Sequence, residues 1–453
     1  MPGSPVRLAN RRIGFVSTRF AGTDGVSLET QKWATVLSRL GHTCVFFSGY
    51  SDWDTQVSRI VPEAFFGHPL IAAIGTSAFD NEWGADELLE FANPDIFPIH
   101  SRAFYHYLRP PRLTQRIHEL KDYLKSQLYA WARDFQLELL IVQNALAIPM
   151  NIPLGLALTE FIAETGFPVI AHHHDFYWER QRFLVNCVAD YLSMAFPPNL
   201  PSIHHVTINS VAAQQLAIRT GISSTLIPNV MDFNNPPPPD AYTQDMRPAL
   251  GIEPGEYFFL QPTRVVQRKG IEHAIELARR IGLRSRLVIS HASGDEGNDY
   301  EKRVRDFAVM LDVPVIFVSD IIQDRRGLTA DGRKVYTLQD AYSHADLVTY
   351  PSSIEGFGNA FLEAIYYRRP IVVNNYSIFA VDIKPKGFRV IEFDGYITES
   401  AVQQTRRVLA HPEFARETAQ HNYRLGKRYF SFTVLERHLQ TLITDCFGED
   451  QDV

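Results

Sequence analysis

Short apolar runs alternate with longer amphipathic stretches along most of this chain. Ile13-Gly14-Phe15-Val16-Ser17 reads as a buried first strand. It opens into a loop, Arg19 to Asp24, followed by Gly25-Val26-Ser27. The next stretch puts Trp33, Val36, Leu37 and Leu40 on one face, which predicts a helix, and Gly41 suits its C′ position. Thr43 to Ser48 is the second strand. The same rhythm predicts a helix at Thr114 to Asp134, a strand at Leu139 to Gln143, a helix at Pro153 to Thr165 and a strand at Pro168 to Ala171. Strands at Val206 to Asn209 and Ser224 to Pro228 flank a helix capped by Ser210. Residues 51 to 110 are aromatic-rich and lack clean periodicity, so they are expected to be elements particular to this chain.

After Asn234-Asn235-Pro236-Pro237-Pro238-Pro239, a stiff run that cannot continue a sheet, the alternation restarts. Strands are predicted at Tyr257 to Gln261, Leu287 to Ser290, Val315 to Val318, Asp346 to Tyr350 and Pro370 to Asn374. Helices are predicted at Ile271 to Ile281, Tyr300 to Leu311 and Leu338 to His344, with a polar insertion at Asp324 to Tyr336. Strict alternation implies parallel, doubly wound sheets. The expected division is an N-terminal Rossmann-like domain over 1–235, a linker over 236–247 and a C-terminal Rossmann-like domain over 248–432. An amphipathic tail helix, about 433–453, is expected to pack back on the first domain.

Composition narrows the function. With 453 residues, 45% hydrophobic and 21% charged, the chain reads as a soluble globular protein of two or three domains. A net charge of −7 supplies no field for nucleic acid, so an anionic ligand needs a local cationic pocket. Three widely spaced cysteines offer neither a disulfide framework nor a metal pair, which fits a cytoplasmic setting. No signal peptide and no membrane span is read.

The chemistry concentrates at Tyr350 to Pro370, YPSSIEGFGNAFLEAIYYRRP. A strand breaks at Pro351, passes through a Glu-Gly-Phe-Gly turn and becomes helix-periodic from Asn359. A helix start of this kind offers backbone N–H groups and positive dipole to an anion. Glu355 and Glu363 stand eight residues apart, roughly 12 Å along a helix, too far to share a proton but suited to two parts of one long ligand. Arg264 and Lys269 follow a strand and precede a helix; an Arg fork with a Lys point charge suits a diphosphate. His172-His173-His174-Asp175 ends another strand. Neighbours along a strand point to opposite sides, so this run does not read as a metal site.

The string S-S-x-E-G-F-G-x-x-x-x-E-A resembles the donor-binding signature of retaining glycosyltransferases of the GT-B fold, in the family 4 group that includes sucrose-phosphate synthases and bacterial mannosyl- and glucosyltransferases. The resemblance implies two Rossmann-like doubly wound domains facing across a cleft. It implies an enzyme that moves glucose or mannose from a UDP- or GDP-sugar to a hydroxyl of an acceptor, here expected to be small and soluble. Glu355, Gly356, Phe357, Gly358 and Asn359 would meet the donor sugar, and Glu363 the ribose. Arg264 and Lys269 would meet the leaving diphosphate, and His174 the sugar's reacting carbon. Gly25 and Val26 match the family's glycine loop over the diphosphate, while Asp175 and Arg180 would face the acceptor. Retention by front-face attack implies no metal and no further cofactor. A nucleotide-sugar epimerase on the same scaffold and a catalytically silent carbohydrate-binding protein are the alternatives. Two departures stand out: Ser290-His291-Ala292 where the family often has glycines, and Asn374-Asn375-Tyr376 in place of a glycine-rich turn.

Overall fold

The computed structural model describes residues 10–22, 24–80, 107–237, 240–293 and 299–448. The chain divides into two compact units: Met1–Pro228 with Leu435–Val453, and Asn229–Val434.

The first unit is built on seven parallel strands: β1 (Arg12–Val16), β2 (Thr43–Ser48), β3 (Ser58–Ile60), β4 (Leu139–Gln143), β5 (Val169–His173), β6 (Ile203–Thr207) and β7 (Thr225–Leu226). Their order across the sheet is β3-β2-β1-β4-β5-β6-β7. Every residue of β4 and β5 is buried, as parallel strands covered on both faces require. Helix Pro111–Asp134 buries Leu124, Leu128 and Trp131 against Val16, Phe47 and Leu140, and helix Ile152–Thr165 closes the same core with Leu154 and Leu158. That second helix stops where expected, with Gly166 in the left-handed conformation at its end.

The second unit repeats the plan with β8 (Tyr257–Gln261), β9 (Ser285–Ile289), β10 (Val315–Phe317), β13 (Leu347–Tyr350), β14 (Ile371–Asn374) and β15 (Ile391–Phe393). The order is β10-β9-β8-β13-β14-β15, again all parallel. Between β10 and β13 the expected polar insertion forms an antiparallel hairpin of β11 (Gly327–Leu328) and β12 (Lys334–Val335). Tyr242 anchors it, its hydroxyl donating toward the carbonyls of Val335 (2.8 Å) and Gly327 (3.2 Å). In both sheets the strand order reverses beside the first strand, between β1 and β4 and between β8 and β13. Open α/β sheets hold ligands outside the carboxyl ends of the strands at such a reversal.

Several boundaries differ from the sequence reading. Helix Gly25–Arg39 begins at Gly25, because Asp24 caps it by accepting from the amides of Val26 and Ser27. The loop before it therefore turns on Gly22, at φ +75°, and not on Gly25. Helix Ser210–Thr220 is capped by Asn209, one residue ahead of the expected Ser210. β5 runs two residues beyond Ala171 and carries His172 and His173 inside the sheet. β15 and the helices Glu399–Ala410 and Pro412–Tyr429 had no counterpart in the sequence reading. The tail helix is Phe432–Phe447. Residues 81–106, part of the stretch expected to be particular to this chain, lie outside the described residues. Among the described residues no helix is long and apolar enough to cross a membrane.

Candidate active site

The second unit brings Arg264, Lys269 and Glu355 to the carboxyl end of its sheet. β8 and β13 are neighbours in register, Leu347 beside Phe259 and Val348 beside Leu260, so their following loops leave the sheet side by side. The two loops are then tied together. Ser353 donates its amide (2.9 Å) and its hydroxyl (3.1 Å) to the carbonyl of Arg268. Gly270, at φ +57°, lies so close that a Cβ there would stand 2.7 Å from the carbonyl oxygen of Pro351. The turn after Lys269 thus requires glycine both for its backbone angle and for the approach of its neighbour. Beneath the loops, Thr349 donates to Gln261 (2.7 Å), and Gln261 donates to Thr263 (2.8 Å).

Across this seam Lys269 forms an ion pair with Glu355. The two side chains retain only 10% and 11% of their exposure, so the pair is largely shielded from water. Burial pushes the Lys269 ammonium below its usual range, and the Glu355 carboxylate opposes that shift. Burial, then the charge of Glu355, holds the hydroxyls of Tyr350 and Tyr376 well above the ordinary tyrosine range. Arg264 is exposed. The β9 loop joins it through the amide of Val265, which donates to the carbonyl of Ala292 (3.2 Å). His291 in that loop is half-buried, its Nδ1 2.7 Å from the Ser290 hydroxyl.

The Glu-Gly-Phe-Gly turn is held from below. Tyr376 donates to the carbonyl of Phe357 (2.9 Å), and the Phe357 ring is buried edge-on to Phe430. Phe357 therefore offers a ligand its backbone, not its side chain. Gly358 sits at φ +122°, where a Cβ would fall 2.2 Å from the Tyr376 hydroxyl. Gly358→Ala is expected to displace Tyr376, lower stability by about 2 kcal/mol and impair turnover; an unchanged melting temperature would count against this packing. Asn359, the first residue of helix Asn359–Tyr366, accepts from Asn229 (2.7 Å). Within that helix Glu363 accepts from the hydroxyl of Tyr342 (2.8 Å).

The first unit gathers the remaining candidates at the carboxyl ends of β4 and β5. The histidine run alternates across the sheet. His172 and His174 both donate to the side-chain oxygen of Gln143, from Nδ1 (2.9 Å) and Nε2 (3.2 Å). His173 points the other way and meets His205 (2.9 Å). Among the described residues no group of three His, Cys, Asp or Glu side chains is arranged to hold a metal ion. His174 is buried, and burial pushes its imidazole down to about 4, so at neutral pH it is uncharged. Asn144 accepts from the His174 amide (2.9 Å) and donates to Asp175 (3.0 Å), whose other oxygen takes Arg180 at 2.5 Å. Asp175 and Arg180 are thus partnered with each other. Glu179 caps the amide of Phe176 (2.9 Å). Gly25 and Val26 lie in the first turn of their helix, with the Val26 amide already committed to Asp24.

Gln143, Asn144, Tyr342 and Tyr376 were not found from the sequence. Gln143-Asn144, two amides directly after a buried apolar run, was the one available signal.

Residues 332–424 match the model of the family described as glycosyl transferases group 1. A mannosylglucosylglycerate synthase of Thermotoga maritima is 30% identical over 459 residues, covering 94% of this chain and 98% of that protein. The chain belongs to the group 1 glycosyl transferases. Among solved structures, this glycosyl transferase resembles a sucrose-phosphate synthase of Thermosynechococcus elongatus at a TM-score of 0.62 with 14% identity, covering 97% and 100% of the two chains. It also resembles HepE of Anabaena, solved in complex with UDP and glucose, at a TM-score of 0.58 with 13% identity, covering 96% and 100%. At that identity the likeness establishes the GT-B fold of the glycosyl transferase. The family match contains Glu355 and Glu363; Arg264 and Lys269 lie before it.

Proposed function

We propose that this glycosyl transferase moves a hexose, with retention of configuration and without a metal, from a nucleoside diphosphate sugar to a hydroxyl of a small soluble acceptor. The observation that carries this reading is the Lys269–Glu355 pair at the strand-order reversal, with Arg264 at the same edge. A diphosphate arriving between Arg264 and Lys269 would take over the ammonium from Glu355. The freed carboxylate would then accept hydrogen bonds from the donor sugar's hydroxyls. As the glycosidic bond breaks, Lys269 and Arg264 stabilise the negative charge gathering on the leaving diphosphate. A phosphate oxygen of that group takes the acceptor's proton on the face where the new bond forms. His174, uncharged at neutral pH, is suited to hydrogen-bond the sugar without repelling the developing positive charge on its ring. Glu363 holds the ribose.

The name of the Thermotoga maritima relative supports a sharper reading: the sugar moved is mannose and the acceptor a glucosylglycerate, a small glucoside bearing a carboxylate. Incubation with UDP-glucose, UDP-mannose, GDP-glucose and GDP-mannose, each with and without glucosylglycerate, tests it. Expected is acceptor-dependent release of nucleoside diphosphate with a mannosyl donor, and a product of retained configuration in the presence of EDTA. Conversion of the nucleotide sugar without acceptor would instead identify an epimerase, and binding without turnover a carbohydrate-binding protein.

A further inference from the structure

Tyr342 reaches Glu363 from another element, its hydroxyl donating to the carboxylate. It lies in helix Leu338–His344, the element before β13, whereas Glu363 lies in the helix after it. The tyrosine is fully buried, and its ring stacks on Tyr367 at 5.3 Å with the planes only 12° apart. The side chain therefore has no room to swing. Its hydroxyl stands 2.8 Å from Glu363 Oε2 and 3.3 Å from the carbonyl of Ala360. A phenol carries one proton, and the shorter, charge-assisted contact to the carboxylate holds it. Burial, then the Glu363 carboxylate, keeps that phenol protonated far above neutral pH, so the donor is permanent.

We infer that Tyr342 is a positioning residue for the nucleotide: it fixes the Glu363 carboxylate in the orientation that accepts from two vicinal hydroxyls of a ribose. This rests on Glu363 being the ribose ligand. A flexible carboxylate loses rotational freedom when it engages a diol; one already fixed at Oε2 does not, and it discriminates more sharply against a sugar lacking those hydroxyls. Tyr342 thus sets selectivity for ribonucleotides without touching them.

The test compares GDP, or UDP if the enzyme prefers it, with the 2′,3′-dideoxy analogue by calorimetry. Wild-type protein is expected to bind the ribonucleotide more tightly. Tyr342→Phe should weaken ribonucleotide binding about ten-fold, the size typical of a hydrogen bond to a charged group, and leave the dideoxy analogue unchanged. In a Glu363→Ala background the same change should have no effect on either ligand. A loss equal for both ligands, or one that persists without Glu363, overturns the inference, because it marks a merely structural tyrosine. Tyr342→Met, with a different apolar fill and no donor, gives the same reading should the phenylalanine variant not fold. If wild-type protein fails to distinguish the two ligands, the ribose role of Glu363 falls instead.

Discussion

Replacing Lys269 with methionine is expected to lower kcat by about 10²–10³-fold, the loss typical when one preorganised charge is removed from a developing oxyanion. The same change should destabilise the second unit by about 3 kcal/mol, because it strands Glu355 in surroundings where that carboxylate keeps little contact with water. The two effects separate in a double variant. Lys269→Met with Glu355→Gln removes the stranded charge and should recover most of the melting temperature while turnover stays low. A single variant whose turnover stays within ten-fold of wild type would falsify the diphosphate role given to Lys269. Full stability with low turnover would mean that Glu355 finds another partner or a proton.

Acid should unfold the first unit well before ordinary carboxylates titrate. His172, His173, His174 and His205 are buried and uncharged, all held below the usual imidazole range chiefly by burial, His174 and His205 at about 4. The unfolded chain takes up these protons near pH 6.5, whereas in the fold burial holds His172 and His173 well below that range and His174 and His205 down to about 4. The unfolded state therefore binds more protons inside that window, and stability is complete above it and falls as the pH drops through it. By pH 4, His174 and His205 alone cost roughly 3 kcal/mol each, against a total stability of ~5–15 kcal/mol for a typical domain. Melting followed from pH 7.5 to pH 5 should show a steep decline, steeper than the neighbouring ion pairs produce, since carboxylates paired with Lys or Arg lose their contribution only below about pH 4.5. A flat curve between pH 6.5 and 5 would mean that some of these imidazoles are protonated in the fold.

Most of the scaffold was legible because strand and helix periods switch cleanly along the chain. β2, β4, β8 and the helices Ile271–Ile281 and Leu338–His344 match their predicted limits. Errors fell where a cap or a register outweighed periodicity. Asp24 recruited Gly25 and Val26 into a helix, and β5 ran on with one ring nitrogen of His172 paired to Gln143 and one of His173 paired to His205 inside the sheet. The strand–loop–helix settings of Arg264, Lys269 and Glu355 were readable one by one. Their mutual contacts were not. That Lys269 meets Glu355 depends on β8 and β13 lying side by side, a pairing across 86 positions that no local pattern encodes. Tyr342 and Tyr376 were missed for a related reason: a buried tyrosine looks like any core aromatic until its hydroxyl has a partner.

The tie from Ser353 to the Arg268 carbonyl has a consequence for altering this enzyme by design. It makes two sequence-distant segments a single mechanical piece, so neither can be exchanged for a homologous segment without disturbing the other. Chimaeras that import only one of them should be poor catalysts of either parent's reaction. Those that import both, with the residues that join them, should inherit the parent's choice of donor intact.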